Sequence, residues 1–197
     1  MYNIIYDPNY GGRFIFSNAT SAAWRWINCG VSSTIGTVPN SGYTIDAWVR
    51  TLGLIKNQVY NGLWTITYGI RLYINANGYL ESVIDNCVMS SIIYYTAPSP
   101  YLYDNKWHHI CTTNDRKIHR IYIDGIMVNE VITSNAPTAG YFGTTRWPTS
   151  WTALGVDINN NNLCFNGSIS CAKIYKRALE PIEVYQNYNA HKLRFRL

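Results

Sequence analysis

Charge is scarce in this chain. Only 14% of the 197 residues are Asp, Glu, Lys or Arg, against about 25% in an average soluble protein. With 47% hydrophobic residues, so little charge excludes intrinsic disorder, which needs high net charge and few apolar groups. It also excludes a coiled coil, whose heptads require abundant Glu, Lys and Arg. No uncharged apolar run reaches the roughly 18 residues of a membrane-spanning helix, so no membrane span is expected. The first ten residues have no basic segment followed by an apolar stretch, and no cleaved secretory signal is expected. The five cysteines are an odd number without a C-x-x-C pair. They fit neither a disulfide framework nor a zinc site, and free thiols in a chain folded in a reducing cytosol are the expectation.

The net charge is +5, and the excess is local. Lys173, Lys176, Arg177, Lys192, Arg194 and Arg196 crowd the C-terminal end. The rest is nearly balanced, so no nucleic-acid groove is expected. A basic end suits an acidic surface of a partner, and Lys192, Arg194 and Arg196 are the candidate docking residues.

Short alternating or apolar runs fill the chain from residue 13 onward. Residues 1–12, with Pro8 and Gly11-Gly12, read as an N-terminal arm. Arg13–Phe16, Ala23–Cys29, Tyr43–Thr51, Leu63–Thr67, Ile70–Asn75, Gly78–Ile84, Val88–Thr96, Lys106–Thr113, Ile118–Asp124, Ile126–Ile132, Ala153–Ile158 and Gly167–Tyr175 read as strands. Asn77-Gly78 and Asp124-Gly125 supply tight hairpin turns. One helix is expected at about 179–192, opened by Pro181 and Glu183, with Leu179, Ile182, Tyr185, Tyr188 and Leu193 as its apolar stripe. Strands without helices between them have no parallel crossovers, so the expectation is an all-β protein of two antiparallel sheets packed face to face. Domain 13–197 would include the terminal helix.

Five phrases then fall in a familiar order. Tyr43-Thr-Ile-Asp-Ala-Trp-Val-Arg50, Lys106-Trp-His-His-Ile110, Ile121-Tyr-Ile-Asp-Gly125, Phe165-Asn-Gly-Ser-Ile169 and Ala172–Leu179 with the following tail resemble the successive strands of laminin-G-like, concanavalin-A-like jelly rolls. The resemblance spans about residues 13–195 and implies a jelly-roll sandwich; beside it, Trp107 reads from its residue type as a sandwich anchor, with a large apolar area and one N–H to satisfy. The ending Gln186–Phe195 is similar to the ends of such domains in bacteriophage structural proteins. That resemblance implies a virion protein made in the host cytoplasm, with other virion subunits as partners and a homo-oligomeric arrangement in the particle.

Catalytic constellations are thin. Glycosidase chemistry on this scaffold needs two carboxylates flanking one bond. None of the four glutamates, Glu81, Glu130, Glu180 and Glu183, lies two residues from an aspartate. Glu81 and Asp85, four residues apart on one strand, stand about 13 Å apart. His108 and His109 are adjacent and point to opposite sheet faces. No G-x-S-x-G elbow is present. The chain is read as not an enzyme, with glycoside hydrolase as a remote alternative.

Two loops remain as candidates for binding. Asp157, Asn159 and Asn161 present oxygens at alternate positions, as calcium loops do; the alternative is a plain polar turn. In the loop 141–151, Tyr141, Arg146, Trp147 and Trp151 combine aromatic faces with a cation, a mixture suited to carbohydrate or to an interface. The alternative is a loop that folds back on its own core. Two functions follow: a module exposed on a phage particle that binds host-surface glycans, or a purely structural capsid-decoration or fibre-associated subunit.

Overall fold

Side chains alternate across each strand, and here they build thirteen strands and one helix among the described residues. The computed structural model describes residues 5–8, 12–16, 26–31, 42–53, 60–66, 70–86, 91–132, 151–156 and 164–195. The strands are β1 (Ile5–Asp7), β2 (Arg13–Phe16), β3 (Ile27–Val31), β4 (Tyr43–Thr51), β5 (Tyr60–Ile66), β6 (Ile70–Asn75), β7 (Leu80–Asn86), β8 (Ser91–Thr96), β9 (Trp107–Asn114), β10 (Ile118–Ile123), β11 (Ile126–Ile132), β12 (Trp151–Leu154) and β13 (Gly167–Tyr175). The helix α1 spans Pro181–Lys192 and runs into a 3-10 turn, Leu193–Phe195. One sheet has the order β1-β2-β13-β4-β9-β10-β11 and the other β3-β12-β5-β6-β7-β8. Every pairing is antiparallel. This is the expected concanavalin-A-like sandwich.

The N-terminal segment differs from the expectation in one respect. Ile5–Asp7, within the stretch read as an arm, pairs with β2 as the edge of the larger sheet, Tyr6 opposite Phe14. Arg13 holds Asp7 at 2.6 Å across this hairpin.

The core lies between the sheets. Ile45, Ala47, Val49, Ile110, Ile121, Ile123 and Ile169 from the larger sheet meet Leu63, Ile70, Leu72, Ile74, Leu80 and Leu154 from the smaller. Gly167 is needed where β13 crosses β4, because a Cβ there would collide with the Arg50 carbonyl.

A second packed layer covers the outer face of the larger sheet. Trp48 stacks on Phe195 at 4.3 Å and on Tyr188 at 5.8 Å between ring centres. Trp107, expected as an anchor, is buried in this layer, 4.7 Å from Phe195, and not in the cluster between the sheets. The physical reason is register: on β9, Ile110 points inward, so Trp107, His109 and Cys111 point out.

The helix also corrects its expected stripe. Leu179 and Val184 are buried, whereas Ile182 is 61% exposed, Leu193 81% exposed, and Tyr185 also faces outward. The helix docks through Val184, Asn187 and Tyr188 because the sheet offers it polar and aromatic partners as well as apolar ones. Its first turn is set by Glu183, which accepts the Glu180 N–H at 2.9 Å and two bonds from Arg177.

Candidate functional site

The turn after β6 determines which side chains share the outer face of the smaller sheet. The Asn75 side-chain oxygen accepts the N–H groups of Asn77 and Tyr79, at 3.0 and 3.2 Å, and Gly78 takes a left-handed conformation. This turn pairs Arg71 with Val83 and Tyr73 with Glu81. Ile70, Leu72, Ile74 and Leu80 fill the core, so Arg71, Tyr73, Glu81 and Val83 point to the opposite face. Such side chains are ordinarily solvated, but all four are buried.

A buried charge needs partners, and both charged groups have them. The Arg71 guanidinium lies over the Tyr73 ring at 5.9 Å. Glu81 accepts a hydrogen bond from the Asn75 amide at 3.3 Å. Burial raises the Glu81 pKa, and the hydrogen bonds from Asn75 and Thr96 pull it partly back. A planar ring, a guanidinium and a carboxylate are the group types that serve a hydroxyl-rich ligand, and with all three buried they form the backing of this face and not its open surface.

The strand order places the start of β12 in the same sheet as this face, one strand beyond β5. Ala153, Thr65, Arg71 and Val83 form one cross-strand row over β12, β5, β6 and β7. Trp151, which ends the loop, is the first residue of β12 and stands two positions from that row. Tyr141, Arg146 and Trp147 lie outside the described residues, as do Asp157, Asn159, Asn161 and Arg196, and only the backbone of Trp151 is described. Of the basic tail, Lys192 sits 5.7 Å over the Tyr188 ring and Arg194 5.4 Å over Phe195. Both cations therefore lie against the helix layer, away from the β6–β7 face. Among the described residues no group of His, Cys, Asp and Glu is arranged to hold a metal. Cys29, Cys111, Cys164 and Cys171 are free thiols, and no described helix is long and apolar enough to cross a membrane.

The two adjacent histidines are both engaged. His108 is held between Asp124, 2.8 Å from Nδ1, and Asp104, 3.2 Å from Nε2. Burial opposes its charge, but the hydrogen bond and charge of Asp124, joined by Asp104, outweigh burial and raise its pKa. His109 faces the helix layer, 3.1 Å from Asp46.

Sequence reasoning weighed Glu81 only as half of a catalytic pair and passed over Arg71 and Tyr73. The Asn77-Gly78 turn was the available signal, since a tight hairpin dictates which residues stand opposite each other.

Several solved structures share the fold. The binding domain of Paraclostridial Mosquitocidal Protein 1 is 22% identical with a TM-score of 0.65, over 91% of this chain and 43% of that one. This chain thus spans less than half of that structure. Domain 4 of the extracellular arabinanase AbnA from Geobacillus stearothermophilus, solved with arabinotriose, is 16% identical with a TM-score of 0.64, over 94% and 81%. The CBM40 of the Ruminococcus gnavus IT-sialidase, bound to alpha2,3 sialyllactose, is 13% identical with a TM-score of 0.64, over 84% and 94%. No curated protein matches the chain. A family model of laminin G type, described as the Concanavalin A-like lectin/glucanases superfamily, matches residues 7–185. On a match covering nearly the whole sandwich, the chain belongs to the Concanavalin A-like lectin/glucanases superfamily.

Proposed function

We propose that this protein is a non-enzymatic binding module for carbohydrate on a host surface. Its ligand lies on the outer face of the smaller sheet, at the Arg71–Tyr73–Glu81 set, and Tyr141, Arg146, Trp147 and Trp151 are the candidates from the sequence for further contacts. The observation that carries this reading is the buried polar and aromatic set on a sheet face away from the core, two positions from where that loop joins β12. The sugar-bound relatives support the ligand class. The engagement of the candidate acid and base groups with structural partners supports the non-enzymatic part. Among the described residues Glu81 has Asn75 and Thr96 as partners, not a second carboxylate, and both ring nitrogens of His108 are taken.

The setting we propose is the surface of a phage particle, supported by the resemblance of the Gln186–Phe195 ending. Attachment to neighbouring subunits would run through the helix side, where Ile182, Tyr185 and Leu193 are exposed beside Lys192 and Arg194.

A glycan array tests the module, with Arg71→Ala, Trp147→Ala and Trp151→Ala compared with the unaltered chain. Binding that falls at least tenfold in Arg71→Ala and in one loop variant is expected. Binding unchanged in all three refutes the site. No glycan bound by the unaltered chain refutes the module and leaves a structural subunit.

A further inference from the structure

The sandwich opens at one edge, and the opening is lined almost wholly by apolar groups. Phe14, Ile169 and Ala172 from the larger sheet and Ile27, Cys29 and Leu154 from the smaller enclose a cavity of about 250 Å3. Gly12, Ser170 and Cys171 complete its described lining. It reaches the surface at Phe14, which is 38% exposed and lies 5.5 Å from the Tyr6 ring on the edge strand.

A local departure in β13 shapes this cavity. Cys171 and Ala172 together stand opposite Ala47, where the ladder with β4 breaks between Ser170 and Lys173. Cys171 has a φ of 51°, a left-handed conformation that a non-glycine residue adopts at a cost. The extra residue directs Cys171 toward the Trp48 layer and Ala172 toward the main core. Bulges that kink a strand recur beside binding sites. Here the bulge places the smallest side chain of the lining, Ala172, where a larger one would fill the space.

We propose that this inter-sheet cavity is a second binding site, for one small uncharged apolar molecule of about the size of a bicyclic aromatic. An apolar cavity of roughly 150 Å3 already admits benzene, so 250 Å3 suits a larger ring system. Ser170 donates its hydroxyl to the Gly12 carbonyl at 2.5 Å, and the Cys29 thiol points to the Ile27 carbonyl. The lining therefore offers little to a charged ligand. The site is separate from the proposed glycan face, because it lies between the sheets and shares with that face only β12, through the inward-facing Leu154.

The test is titration with 1-aminonaphthalene, uncharged at neutral pH, read by its fluorescence and by methyl NMR of the unaltered chain. One equivalent should bind, with shifts confined to the Ile27, Leu154, Ile169 and Ala172 methyls. Ala172→Leu and Cys29→Leu, which add volume from opposite sheets, should each weaken binding at least tenfold. Absence of binding, shifts centred elsewhere, or affinity retained in a folded filling variant would each overturn the proposal. Glycan binding should be unchanged in these variants.

Discussion

The imidazole of His109 and the carboxylate of Asp46 meet at 3.1 Å beneath the C-terminal helix, and both are fully buried. Asn187 of the helix donates to the same carboxylate oxygen at 2.9 Å and to the Tyr175 hydroxyl at 3.0 Å. The helix is thus fastened to the sheet by a polar contact inside an aromatic layer. Removing one partner of a buried pair strands the other, so His109→Ala is expected to cost about 3–5 kcal/mol. Asn187→Ala is expected to cost about 1.5–3 kcal/mol, chiefly through the bond that it gives to the carboxylate. Urea denaturation measures both, and equal effects would contradict the ranking.

Two histidines should bound the stability from opposite sides. The His108 pKa is raised by Asp124 and Asp104 against burial. Its stabilisation is present below the ordinary value of about 6.5 and fades as pH rises through the folded value. Burial lowers the His119 pKa to about 3. The unfolded chain binds that proton more readily, so stability falls as pH drops below about 6.5. Each limb has a slope of at most about 1.4 kcal/mol per pH unit. His108→Gln should flatten the alkaline limb and His119→Leu the acid one, in denaturation midpoints followed from pH 5 to 8.5. His191, whose pKa is lowered mainly by burial, remains in both variants.

Gly125 is the seat of the helix on the β10–β11 hairpin. Its φ is 77°, and a Cβ there would stand 2.8 Å from the Tyr188 ring. Gly125→Ala combines left-handed backbone with a displaced aromatic, and about 1–3 kcal/mol of destabilisation is expected. A melting temperature unchanged from that of the unaltered chain would show that Tyr188 does not seat on this turn.

Glu81 separates function from stability. Its raised pKa means that its charge is disfavoured in the fold at neutral pH, above the unfolded value. Glu81→Gln keeps an acceptor for the Asn75 amide and removes that penalty. It should unfold at equal or higher urea than the unaltered chain while binding glycan less well. Neither protein should release reducing ends from β-glucans, galactans or arabinans. Turnover by the unaltered chain that Glu81→Gln abolishes would make this side chain a catalytic residue.

Much of the fold was legible because period-two alternation and turn chemistry are local. Arg13–Phe16, Tyr43–Thr51, Ile70–Asn75, Ile126–Ile132 and Gly167–Tyr175 stand at the boundaries that alternation predicts. Both Gly-containing hairpins turn where their dipeptides say. The helix was legible in position but not in orientation. With only Val184 buried on it, its facing depends on Trp48, His109 and Asp46, which lie far off in the chain. The side that Trp107 anchors was not legible for the same reason: alternation shows that its face differs from that of Ile110, not which face has a second layer over it.

The sequence by itself therefore determined the class, the two-sheet sandwich and the two tight hairpins, since each follows from neighbouring residues and backbone sterics. Tertiary structure alone decided three other things: that Arg71, Tyr73 and Glu81 are buried together, that the outer face of β4 is covered, and that a bulge at Cys171 opens a cavity between the sheets. Each depends on which distant strands pair and at what register, and a one-residue change of register would turn every one of those side chains to the other face.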